Sequence, residues 1–156
     1  MPRINEERLH AAVEDDFVVF IIGVRINRLR AVREWLPVAR VMPRMLRELR
    51  EQPTRGLLDS RSAFGLRNFT MVQYWRSFED LRTYTRDHDA EYFPAWMRFD
   101  HEAAESGAVG ISHETYVVRA GEYETAYNNA PEYGLGEVGK LSRLRKGDGV
   151  RRVDRG

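Results

Sequence analysis

The stretch from Asp16 to Ile26, DFVVFIIGVRI, carries apolar side chains on both parities. A strand sends alternate side chains to opposite faces, so this one has to be covered on both sides. NFTMVQYW, from Asn68 to Trp75, has the same character. Phe69, Met71, Gln73 and Trp75 share one face, and Thr70, Val72 and Tyr74 share the other. Two such strands exclude a sheet left open to water on one side.

The segments around them supply one covering layer. Val32, Trp35, Leu36, Ala39, Met42, Met45, Leu46 and Leu49 recur at helical spacing. Pro37 and Pro43 interrupt that pattern and predict a kink or a restart, because each removes an amide donor. GLLDSRSAFG, from Gly56 to Gly65, reads as a strand, and Gly65–Arg67 as the tight turn of a hairpin. Ser77 with Asp80 three residues later resembles a capping box and starts a helix, SFEDLRTYTRD. AEYFPAWMRFDHEAAES follows as a second helical stretch, with Phe93, Trp96, Met97 and His101 on one face. AVGISHETYVV is the last strand, and YETAYNNAPEYGLGEVG reads as an ordered loop.

The order β-α-β-β-α-β is the split βαβ arrangement of a ferredoxin-like α+β domain, with both helices on one face of an antiparallel sheet. The other face would be a large apolar patch. A second copy packed face to face, making a dimeric α+β barrel, is the simplest cover, so a homodimer is expected.

The chain of 156 residues fits one domain, expected at 15–137 between an N-terminal arm, 1–14, and a basic, mobile tail, 138–156. From Lys140 onward seven Lys or Arg stand against two Asp, yet the net charge is only +1. That balance argues against a nucleic-acid partner. There is no cysteine, which excludes thiolate chemistry and Cys-ligated metals. MPRINEERLH lacks the apolar centre of a signal peptide, and FVVFII is too short to span a bilayer, so no membrane and a cytoplasmic location are expected. No GxGxxG, Walker or GxSxG motif is present.

His113 and Glu114 are consecutive on a strand and must point to opposite faces, so they cannot act as a dyad. A buried Glu114 would need a cation, with Arg25, Arg61 and Arg76 as candidates. An imidazole titrates near neutral pH and suits proton transfer, or it can serve as a structural hydrogen-bonding group. His88 lies between acidic residues in RDHDAEY and reads as a ligand or as a solvated helix-start histidine. Tyr92, Tyr116, Tyr123, Tyr127 and Tyr133, with Trp75 and Trp96, build either an aromatic pocket or a plain aromatic core. Asn128 and Asn129 could close such a pocket or stabilise a turn. No metal-binding spacing such as HExxH occurs.

Several longer stretches carry a resemblance. PVARVMPRMLREL, MVQYWRSFEDL, PAWMRF, VGISHETYVV and YETAYNNAPEYGLG resemble the monooxygenase family first described from fumagillin biosynthesis, often labelled a domain of unknown function in bacteria. The resemblance implies a dimeric α+β barrel and an oxygenase of small-molecule, often secondary, metabolism. Members of the wider superfamily either oxidise electron-rich polyketides without a cofactor or bind haem, as chlorite dismutases, dye-decolorising peroxidases and aldoxime dehydratases do. The last are the most similar locally. This chain has Tyr92 where their axial histidine would align. The resemblance therefore implies either no cofactor, or haem held by His88 or Tyr92 with Arg76 meeting a propionate or the substrate. In the cofactor-free version the small-molecule substrate sits between sheet and helices. His113 is the base, and Asn129 or Trp75 holds the oxyanion. Tyr92, Trp96, Tyr116, Tyr127, Asn128 and Arg76 bind substrate. A haem-dependent lyase like the aldoxime dehydratases and a non-catalytic ligand-binding protein are the alternatives.

Overall fold

The computed structural model describes residues 4–102 and 105–144. The strands and helices follow the chain as β1 (Ile4–Asn5), β2 (Leu9–Ala12), β3 (Phe17–Ile26), α1 (Val32–Glu51), β4 (Leu57–Phe64), β5 (Asn68–Trp75), α2 (Phe78–Arg86), α3 (Tyr92–Glu102), β6 (Val109–Val118), β7 (Ala130–Pro131), α4 (Leu135–Val138) and β8 (Lys140–Arg143). The central sheet is antiparallel and four-stranded, in the order β4-β5-β3-β6. This is the expected ferredoxin-like α+β fold. The amide of Gly65 donates to the carbonyl of Asn68 at 2.7 Å and closes the β4–β5 hairpin where the turn was expected.

Register assigns every strand residue to a face. Ile22 stands opposite both Met71 and His113, whereas Ile21 stands opposite Val72 and Glu114. The first set faces the helices. There Val18, Phe20 and Ile22 pack with Met71 and Trp75 against Met42, Met45 and Leu49 of α1 and Leu81 and Tyr84 of α2. Of the expected kink or restart, no restart occurs: α1 runs unbroken through Pro37 and Pro43. A proline in a helix interior costs about 3 kcal/mol. Burial of an apolar side chain returns about 1.5–3 kcal/mol, so Met42, Met45 and Leu49 together are of the size needed to offset both.

The outer face is not bare, which corrects the expectation of an uncovered sheet. The expected N-terminal arm is part of the fold: β2 pairs with β8 and β1 with β7. Leu9 and Tyr127 also exchange backbone hydrogen bonds, both 2.8 Å. This ribbon and α4 cover one end of the outer face, where Ala11, Phe17 and Leu135 are buried against Val19, Tyr74, Val118 and Tyr123. The first residues of the expected basic tail form β8, and Arg143 pairs with Glu7 at 2.6 Å. Residues 145–156 of that tail lie outside the described residues. The other end of the outer face, around Ile21, Val72 and Tyr116, has no such cover among the described residues. Tyr116 is 51% exposed there.

Helix α2 begins with the expected cap. The Ser77 hydroxyl accepts from the Asp80 amide at 3.0 Å and donates to the Asp80 carboxylate at 2.8 Å. Arg76 grips the same carboxylate through Nε at 2.8 Å and Nη2 at 3.0 Å. Gly56, at φ 96°, passes so close that a Cβ would stand 2.6 Å from Asp80 Oδ2. Gly56→Ala is therefore expected to lower the unfolding free energy by about 1–3 kcal/mol, seen as a lower urea midpoint at unchanged slope.

The hydrogen bonds from Arg76 hold the Asp80 carboxyl below its ordinary value, against the opposing effect of burial. A depressed carboxyl stabilises the fold above its unfolded pKa, and that contribution is lost as pH falls through the folded value. The stability gap between wild type and Asp80→Asn should thus be full near neutral pH and shrink on acidification below about pH 4. A gap independent of pH would rule out a charge-based role for Asp80.

Candidate functional site

Helix α3 leaves space on both of its flanks. Where α2 and α3 lean over the edge of the sheet, an open cleft of about 510 Å³ remains. Phe20, His113 and Thr115 form its floor, Leu81, Thr85, Tyr92, Phe93 and Trp96 its walls, and Phe78, Arg82 and Arg86 its rim. On the other flank, beneath α1, lies a smaller cavity of about 120 Å³ lined by apolar residues including Val24, Val38, Met42 and Phe99. Arg33, Glu34 and Arg98 border it. Tyr92 and Trp96 line both spaces, and their rings lie within 7° of parallel at 6.3 Å. Four residues apart on one helix, they form the partition between the two.

His113 reaches the cleft because β6 is an edge strand and its odd-numbered residues from Val109 to Val117 face the helices. Its ring meets Trp96 edge-on at 5.9 Å and Phe20 at 5.8 Å. No hydrogen bond to protein occupies the imidazole among the described residues.

A polar network fixes where α3 starts. Glu48 of α1 accepts from the Tyr84 hydroxyl at 3.0 Å and from the Glu91 amide at 3.1 Å. Arg55 joins Glu48 at 3.8 Å to Asp87 at 2.8 Å, and its guanidinium lies 5.4 Å from the Tyr84 ring centre. Burial first, and the Glu48 charge second, push the Tyr84 phenol far above its ordinary value, so it is a neutral donor. Burial also raises Tyr92 and keeps its phenol protonated. Sequence reasoning missed Glu48. Its signal was a carboxylate next to the buried stripe of Met45 and Leu49.

The expected site residues divide. Tyr92, Trp96 and His113 come together at the cleft. Trp75 does not: it is 0% exposed, and its Nε1–H donates to Gln73 Oε1 at 2.9 Å inside the core. Tyr127 packs in the outer layer, donating to the Tyr133 carbonyl and accepting from the Gly136 amide. Asn128 and Asn129 are exposed just before β7, and Asn129 takes φ 50°, as in a turn. Tyr116 lies on the outer face of β6 and donates to Glu114 at 2.8 Å.

Glu114 itself is exposed, which corrects the expectation of a buried ion pair. Arg25 bonds Asn68, Arg61 lies over the Tyr133 ring, and Arg76 holds Asp80 away from the cleft. His88 is exposed, with its ring 4.1 Å from that of Phe93. The inward face of α3 is Tyr92, Trp96 and Phe99, whereas Met97 and His101 are exposed. Two arginines of the rim, Arg82 and Arg86, were not foreseen.

Haem, which the resemblance brings into question, needs an axial donor aimed into its cavity. Tyr92 is held neutral by burial, and His88 lies exposed against Phe93. Among the described residues no group of three His, Cys, Asp or Glu could hold a metal. Neither expected axial donor, His88 or Tyr92, presents a free basic atom to the cleft, whose one imidazole among the described residues is His113.

The architecture is that of a ferredoxin-like α+β domain with an aromatic cavity between helices and sheet. Residues 17–135 match the family model described as Monooxygenase af470-like, and the chain belongs to that family. Among solved structures, an aldoxime dehydratase, OxdRE, in complex with butyraldoxime is similar with a TM-score of 0.63 and 19% identity over 81% of this chain. The chain spans 38% of that protein's length. SnoaB, a cofactor-independent oxygenase from Streptomyces nogalater, is similar at a TM-score of 0.46 and 14% identity, over 67% of this chain and 94% of its own. A dimeric protein of unknown function and ferredoxin-like fold from Bacteroides fragilis gives 0.46 and 12%, over 65% and 95%. These are likenesses of fold. A search of curated proteins gives no match. Among the described residues no helix is long and apolar enough to cross a membrane.

Proposed function

We propose that the protein is a cofactor-free monooxygenase of small-molecule, secondary metabolism, with its substrate in the cleft between α2, α3 and the sheet. The observation that carries this reading is the free imidazole of His113 on the floor of a cleft walled by Phe93, Trp96 and Tyr92. Membership of a monooxygenase family supports it.

In this reading, His113 takes a proton from a methylene made acidic by a neighbouring phenol or carbonyl. The carbanion passes one electron to dioxygen, and the radical pair combines to a peroxide anion, which the imidazolium protonates to the hydroperoxide. The freed imidazole then removes the remaining proton on that carbon as the O–O bond breaks and passes it to the departing hydroxide, so that CH₂ and O₂ become C=O and H₂O. Tyr92 offers its O–H to the developing oxyanion. The aromatic walls hold a flat substrate and exclude water.

The test is oxygen uptake by chelator-treated protein with an anthrone, a phenol carrying such a methylene. One O₂ consumed per ketone formed, with ¹⁸O₂ labelling the new carbonyl, is the expected result. Turnover that requires added haem, or aldoxime dehydration by a haem-loaded sample, would replace this reading by the lyase. Binding without turnover would leave a non-catalytic ligand carrier.

A second copy of the chain covers the open end of the outer face in this reading, over Ile21, Val72 and Tyr116. Val72→Glu places a charge at the centre of that patch. It is expected to turn a dimer into a monomer in light scattering at micromolar concentration, with unchanged circular dichroism. A wild-type monomer would defeat the dimer. A cysteine-free chain fits a cytoplasmic setting.

A further inference from the structure

We infer that the cleft selects an anionic aromatic acid, and that Arg82 and Arg86 are the residues that recognise its carboxylate. The inference rests on the reading of this cleft as the substrate site.

Arg82 and Arg86 lie one turn apart on α2 and both line the cleft. Like charges at this spacing repel each other and weaken a helix. Three arginines of the fold, Arg55, Arg76 and Arg143, pair with a carboxylate. Among the described residues neither Arg82 nor Arg86 has such a partner. Among the described residues no carboxylate lines the cleft either, and its other polar side chains are Thr85, Tyr92, His113 and Thr115. Two uncompensated guanidiniums therefore border a space that is otherwise mostly aromatic.

The surroundings specify the rest of the ligand. Phe78 stands beside the arginines at the rim and is 49% exposed, an apolar ring held in water where a flat ligand would cover it. A guanidinium presents a planar fork that matches a carboxylate in two hydrogen bonds. A molecule with a flat apolar body and one acidic end satisfies both halves of the cleft. Its acid would sit at the α2 rim and its ring would lie toward Trp96 and His113.

Calorimetry of the full-length protein with 1-naphthoate and with its methyl ester tests this. The acid is expected to bind at least tenfold more tightly than the ester at low ionic strength, with the advantage shrinking as salt is added. In the Arg82→Gln/Arg86→Gln variant, which alters only exposed helix positions, the two probes should bind alike, with ester affinity unchanged. Equal affinities in the wild type, an acid preference that survives in the variant, or no binding of either probe would each overturn the inference. Acid-selective binding without oxygen uptake would sustain it and defeat the oxygenase reading. Oxygen uptake indifferent to a substrate carboxylate would do the reverse.

Discussion

His113→Ala is expected to lower kcat for oxygen uptake by about 100- to 10,000-fold, the range a positioned general base contributes. KM should change little, because the flat substrate is held by Phe93, Trp96 and the rim rather than by the imidazole. The position is exposed on an edge strand, so the variant should fold. His113→Gln separates the two roles an imidazole can play. It keeps a hydrogen-bonding group and removes the basic nitrogen. If proton transfer is the role, His113→Gln is as slow as His113→Ala, and added imidazole restores part of the His113→Ala rate. If His113 only holds a hydrogen bond, His113→Gln recovers most of the activity. A His113→Ala protein with more than half the wild-type rate would end its candidacy as the base.

Trp75→Ala is expected to destabilise the fold by about 3–5 kcal/mol, the range for removing a buried aromatic side chain. Three losses combine. The indole fills the core against Tyr84, at 5.6 Å between ring centres. Its N–H is the partner of Gln73 Oε1, and Gln73 is only 1% exposed. The Gln73 amide in turn donates to the Met71 sulfur at 3.1 Å, so the deletion disturbs a chain of buried groups. Urea unfolding of Trp75→Ala should show the loss directly. Trp75→Phe keeps most of the volume and forfeits the hydrogen bond, so its cost should be smaller, about 1–3 kcal/mol. A folded Trp75→Phe protein should also retain wild-type turnover. Loss of turnover in that variant without loss of stability would return Trp75 to the reaction, in the role of oxyanion holder that the sequence allowed for it.

Much of the fold can be read along the chain. The two strands apolar on both parities, the hairpin at Gly65, and the cap of α2 at Ser77 depend on neighbours within a few residues. The opposed faces of His113 and Glu114 follow from the same alternation. The gathering of Tyr92 and Trp96 on one face follows from their spacing of four. His113 joins them only through the register of β6 on β3, which no local pattern reveals.

Other features had no local signal. Ile4–Asn5 and Leu9–Ala12 are too short to show a period, and they become strands only when residues from the far end of the chain arrive beside them. Two prolines allowed for a restart within α1, yet its contact with the sheet carries the helix through both. The tyrosines share a stretch of sequence but not a side of the sheet: Tyr92 stands on α3, on the helix side, whereas Tyr116 and Tyr127 lie in or on the outer layer.

Alternation and helical spacing are short-range sterics, and so one chain alone specifies a two-faced sheet with helices over it. Which charged groups find partners is a matter of long-range placement. Arg25, Arg61 and Arg76 were equal candidates for Glu114 on paper, and folding sent each to another neighbour. Among the described residues the same placement left Arg82 and Arg86 without a carboxylate partner at the mouth of the cleft, because electrostatic partnership depends on distance through space, which sequence separation does not measure.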